Sequence, residues 1–291
     1  MERKREKFVE YTLKGLGFFT IAITAIIIII LFIEGIGLFK EVSIKEFFTG
    51  VNWSPLMEPK SFGVLPLVNG TLMIAIGSSI VAIPIGIGAA IYLSEYASKG
   101  ARRVLKPLLE ILAGIPSIVY GYFALNIITP FLKIFISDIQ VFNVLSASIA
   151  VGIMVIPLIS SLSEDAMSAV PELVKSGAYA MGATKFEVVR KIVIPASISG
   201  IISSIILAIS RAIGETMIVA IAAGAKPQMT LNPLDSVQTM TGYMVSVAMG
   251  DVAVGSVEYK TIFIVGALLF LVTFVLNIIA RKVVKKGKIY Y

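Results

Sequence analysis

The sequence predicts an all-α integral membrane protein with six transmembrane helices. Hydrophobic residues make up 57% of the 291 positions and charged ones only 15%, a surface too apolar for water. Long uncharged stretches recur at lengths near or above the roughly 20 residues that cross a bilayer. The basic residues gather at the ends of those stretches, so the net charge of +7 is read as a topology signal rather than the mark of a nucleic-acid partner. With no Cys and no His, the chain lacks thiol chemistry and the usual general base. No enzyme activity, metal site or cofactor is expected.

The N-terminal MERKREK precedes an apolar run that competes as a signal peptide, but the run is too long and has no small-residue cleavage site. Residues 15–33 are therefore read as a retained first span. Glu34, beside Gly35 and Gly37, closes it as an interfacial residue with no assigned role. Further spans are expected at about 66–94, 111–132, 139–163, 198–224 and 261–280. The stretch holding the fifth contains Arg211 and Glu215, yet at 34 residues (192–225) it is long enough to span despite them.

Residues 1–65 thus comprise the N-terminus, first helix and external segment. Residues 66–282 form the transmembrane domain, and 283–291 a basic tail. Six spans put both termini on one side. The termini and the connections 95–110 and 164–191 carry 18 Lys and Arg, against 6 in the other connections, so both termini are expected to be cytoplasmic.

Proline and glycine interrupt several spans: Pro84 with Gly86 and Gly88, Gly114 with Pro116, and Pro157. Each break has two readings, a pathway lining or close helix packing through small residues. The segment AGIPSIVYGY at 113–122 carries more backbone disturbance and polar capacity than packing requires. The connection 164–195 reads as a helical hairpin. Pro171 and Glu172 open a helix to about Met181, Gly182 stops it, and Thr184 with Glu187 fits a capping box opening a second helix that ends before Pro195.

The string SGAYAMGATKFEVVRKIVIP at 176–195 resembles the EAA motif of ABC importer permeases. Ala178 matches the motif's last alanine, Gly182 its glycine, and Ile192, Ile194 and Pro195 its closing unit. Ser176 stands for the glutamate and Gly177 for the first alanine. Further stretches, NWSP (52–55), FGVLPLVNGTL (62–72), IPIGIGAAIYLSEYA (83–97), LAGIPSIVYGYFAL (112–125) and SRAIGETM (210–217), are similar to the phosphate branch and look PstC-like. The resemblance implies a type I ABC importer transmembrane domain fold and a coupling loop in which Ser176, Gly177, Ala178, Gly182 and Pro195 meet an ATPase. It also implies a PstA-like second permease, a cytoplasmic ATP-binding subunit dimer and an extracytoplasmic phosphate-binding protein. Its location would be a prokaryotic plasma or inner membrane.

Arg211 is costly inside a span, about 2.5–3.5 kcal/mol at a helix centre. Glu215 follows at i+4, one turn along the same face, so the two can pair directly and a cavity can solvate both. An internal salt bridge is the structural alternative. The pathway reading has Arg211 attract phosphate through paired hydrogen bonds while Glu215 accepts one from hydrogenphosphate and moderates the attraction. The expected function is an ATP-driven phosphate permease subunit. Alternatives are a permease for sulfate, molybdate or tungstate, and a stand-alone secondary transporter or channel. No Walker-type GxxxxGK[ST] occurs in the chain, as hydrolysis in separate subunits requires.

Overall fold

The computed structural model describes residues 2–286. It is helical apart from one two-stranded antiparallel hairpin. The elements run α1 (Glu2–Ile36), a short 3-10 turn (Gly37–Lys40), α2 (Ile44–Thr49), β1 (Trp53–Ser54), β2 (Ser61–Phe62), α3 (Leu65–Ile91), α4 (Lys99–Gly114), α5 (Ser117–Phe123), α6 (Thr129–Lys133) and α7 (Val144–Ser168). Then follow α8 (Glu172–Ala180), α9 (Lys185–Val188), α10 (Ile194–Ile213), α11 (Met217–Ala222), α12 (Met240–Ala248) and α13 (Val257–Lys286). Residues 287–291, part of the expected basic tail, lie outside the described residues.

Among the described residues, five helical segments are long and apolar enough to cross a membrane, and the bent pair Lys99–Gly114 with Ser117–Lys133 makes a sixth. The third stretch departs from a straight span over 111–132. The chain turns by 90° at Ile115 and Pro116, so α4 is a separate amphipathic helix with no buried residue. Pro116 forces its neighbour Ile115 out of the helical region to ψ 128°, which ends α4. The Tyr120 hydroxyl donates to the Leu112 carbonyl at 2.7 Å across the bend. The polar capacity of 113–122 therefore satisfies a helix end that the turn leaves open.

The centre of the molecule is α3 against α7, with α10 alongside. A side chain at Gly86 would meet Ile159 at 2.8 Å, and one at Gly152 would meet Val81 at 2.9 Å, so the two helices touch through small residues. At Gly86 the packing reading holds. A second cluster, around Phe47, Trp53, Phe62 and Tyr243, closes one end of the molecule. There NWSP and FGVLP meet as the hairpin, with Trp53 opposite Phe62 and its ring edge-on to Tyr243 at 5.0 Å. The most apolar 18-residue window of α1 is entirely unburied, and α1 rests mainly on α13.

Two further boundaries differ from the sequence reading. The span expected at 198–224 is interrupted: α10 stops at Ile213 and α11 restarts at Met217. The second helix of the 164–195 hairpin does not end before Pro195. It runs from Lys185 through a wide π-type turn, Val189–Val193, straight into α10. Proline lacks a donor and crowds the preceding turn, and a π turn loosens the backbone at that point.

Candidate functional site

Gly214 sets the geometry around Arg211. It caps α10 in a non-helical conformation (φ −86°, ψ 1°), and the chain leaves the helix before Glu215. The expected Arg211–Glu215 pair on one helix face is therefore not formed: i+4 spacing places two side chains together only while the helix continues. Glu215, 8% exposed, instead turns its Oε1 to the backbone amides of Met217 (3.2 Å) and Ile218 (3.3 Å). It thus caps the start of α11. The Thr241 hydroxyl donates to the Glu215 carbonyl at 2.6 Å and ties the break to α12. Oε2 of Glu215 has no hydrogen bond among the described residues.

Arg211 faces a cavity of about 270 Å³ between α4, α7 and α10, lined also by Lys106, Glu110, Pro157, Ser161 and Glu164. Glu164 is almost wholly buried at the C-terminal part of α7. It receives the Arg102 guanidinium and, at 3.1 Å, the Lys106 ammonium. Those two cations are matched. Arg211 forms no ion pair among the described residues. An unmatched guanidinium keeps its donor fork free for an oxyanion, which it can hold through two parallel bonds. Of the proline breaks, Pro157 lies on this cavity.

Sequence reading missed Lys106, Glu110 and Glu164, counting the first two among topology charges and flanking residues and the last as a loop start. A signal was available. Arg102, Lys106 and Glu110 recur at i, i+4 and i+8, the spacing of one helix face, so 95–110 was legible as an amphipathic helix.

The hairpin of α8 and α9 forms largely as its residues dictate. Gly182 sits at φ +84°, where only glycine is unstrained, and ends α8. The capping box is present: Thr184 Oγ1 accepts from the Glu187 amide at 3.3 Å, and Glu187 Oε2 accepts from the Thr184 amide at 3.0 Å. That backbone bond, with Lys191 beside it, holds the Glu187 carboxyl down at about 2. Ser176 turns its hydroxyl back onto the Glu172 carbonyl at 2.7 Å, and no charge replaces the motif's acid there. Gly177 is exposed, Ala178 packs inward against the cluster around Met167 and Val188, and Pro195 is exposed on the continuous helix. Leu173, Met181 and Phe186 stand out from the loop with most of their surface uncovered.

Residues 82–288 match the family model described as binding-protein-dependent transport system inner membrane component. The chain is 34% identical over 271 residues to the probable ABC transporter permease protein YqgH of Bacillus subtilis, covering 92% of this chain and 87% of that one. It is 31% identical over 255 residues to the phosphate transport system permease protein PstC of Mesorhizobium japonicum, covering 81% and 77%. A bacterial alginate ABC transporter, solved with a pentasaccharide-bound periplasmic protein, shares the fold at a TM-score of 0.61 and 15% identity, over 94% of this chain and 95% of that one. The protein is thus a multi-pass transport component, not an enzyme, working with ATPase subunits and a binding protein. The chain belongs to the binding-protein-dependent transport system inner membrane component family of ABC importer permeases.

Proposed function

We propose that the chain is the permease subunit through which inorganic phosphate crosses the cytoplasmic membrane. Its partners are a PstA-like permease, a cytoplasmic ATP-binding subunit dimer and an extracytoplasmic phosphate-binding protein, with both termini cytoplasmic and the spans set in lipid. The observation that carries the reading is Arg211, a cation without an ion pair among the described residues, at a cavity whose other lining cation, Lys106, is held by Glu164. Its guanidinium suits a tetrahedral oxyanion. Glu215 does not line that cavity in this conformation, and its part in the reading, accepting the proton of hydrogenphosphate that sulfate lacks at neutral pH, needs the α10–α11 break to bring it to the anion. The PstC relatives support phosphate as the anion. Ser176, Gly177, Ala178, Gly182 and Pro195 belong to the ATPase-facing loop, and the uncovered Leu173, Met181 and Phe186 give it an apolar face to bury.

The test is labelled phosphate uptake by the assembled importer carrying Arg211→Gln. Uptake falls by about 100-fold or more, the scale of one lost charge-assisted contact or larger, while the complex still assembles. Uptake at the parental rate sinks the role of Arg211. Sulfate, molybdate or tungstate competing as well as phosphate points to another oxyanion. Uptake by this chain alone, without ATPase, points to a secondary transporter or channel.

A further inference from the structure

We infer that Glu95 and Lys175 form the joint through which movement of the coupling loop reaches the membrane-spanning helices. The inference rests on the proposed placement of that loop against an ATPase.

Helix α8 is mostly exposed, with Leu173, Ser176 and Gly177 turned outward. Lys175 alone among its residues is buried, and its Nζ lies 2.7 Å from Glu95 Oε1. Both side chains are more than nine-tenths buried, and Ser94 adds a hydroxyl to the same carboxylate oxygen at 3.0 Å. Glu95 belongs to the π-type turn Tyr92–Tyr96 that continues α3.

The second arm of the loop reaches the same turn. Lys185, the first residue of α9, places its Nζ 4.8 Å from the centre of the Tyr96 ring. The two arms flanking Gly182 therefore both hold Tyr92–Tyr96. Ala178 and Ala183 of the loop pack against one apolar cluster of Ala90, Met167, Val170, Val188, Val193 and Ile201.

A buried ion pair is weak evidence for stability, but separating it strands the Glu95 carboxylate and leaves Lys175 only the exposed Glu172, at 4.0 Å. Lys175 and Glu95 must therefore move together or not at all. Displacing α8 pulls on the end of α3, which lies against α7 over most of its length. Helix α7 carries Pro157, Ser161 and Glu164 of the Arg211 cavity. The route runs from loop to α3 to α7 to cavity. Lys175 and Glu95 touch neither cavity nor substrate, so they are positioning residues.

The test is the reconstituted importer, with its partner permease, ATPase and binding protein, read as phosphate moved per ATP hydrolysed. Glu95→Gln keeps the ATPase bound and hydrolysing, and the ratio falls about tenfold, inside the usual range of coupling between sites. Lys175→Arg, which keeps the charge, stays within about twofold of the parent. The double exchange Glu95→Lys with Lys175→Glu regains part of the lost ratio. A purely structural role lowers the yield of complex and leaves the ratio of the assembled fraction untouched, so a parental ratio in Glu95→Gln overturns the inference. If Glu95→Gln does not assemble, the double exchange decides: recovery supports the joint, and an assembled but uncoupled complex overturns it. A parental complex that binds no ATPase removes the reading of the loop itself, an outcome distinct from any change in ratio.

Discussion

Glu187 carries a pH dependence of its own. Its carboxyl is held at about 2 by the Thr184 amide and Lys191, below the ordinary 4.5. A depressed carboxylate contributes stability that is complete above the unfolded value and is lost as pH falls through the folded one. The thermal midpoint of the purified protein should therefore exceed that of Glu187→Gln above about pH 4.5, with the gap narrowing towards pH 2. A gap that stays constant over that window means the carboxylate is not held in the folded state. This capping box was legible because it needs only Thr and Glu three residues apart. The Arg211–Glu215 contact was misread because i+4 spacing presumes an unbroken helix, and Gly214, a single small residue inside an apolar run, gave little warning of the break.

Among elements, the hairpin α8–α9 shows most directly how sequence becomes geometry. Gly182→Ala forces a Cβ into the left-handed region at φ +84°, costing about 1–2 kcal/mol at a site with open space around it. Strain alone acts there. The expected result is a coupling loop cut faster by protease while the spans stay protected; equal cutting rates would show that the loop relaxes around the alanine. The two arms of the loop were readable from caps and stops. The 90° bend after α4 was not, since hydropathy runs unbroken through 111–132 and reports length, not direction. Nor was the burial of Lys175, because a lysine in an amphipathic surface helix ordinarily reaches water.

At the scale of the molecule, six spans and a family fold were readable because a bilayer demands long apolar helices and little else has that composition. The cavity was not, because its charges come from α4, α7 and α10, far apart in sequence, and join only when α4 folds back along α7. Orientation can be checked simply, since the chain has no cysteine. A single Ser176→Cys should react with a membrane-impermeant thiol reagent only from the cytoplasmic side of sealed vesicles, and labelling from outside would reverse the proposed topology. The π-type turns carry a consequence for how this chain tolerates change in length. Each of Tyr92–Tyr96, Ala124–Ile128 and Val189–Val193 holds one residue more than a regular turn needs. Deleting one residue within Val189–Val193 tightens that turn to an ordinary one and leaves Arg211 aimed as before. The same deletion a few residues later, in α10, swings the guanidinium by about 100° around the helix axis, away from the space it now faces.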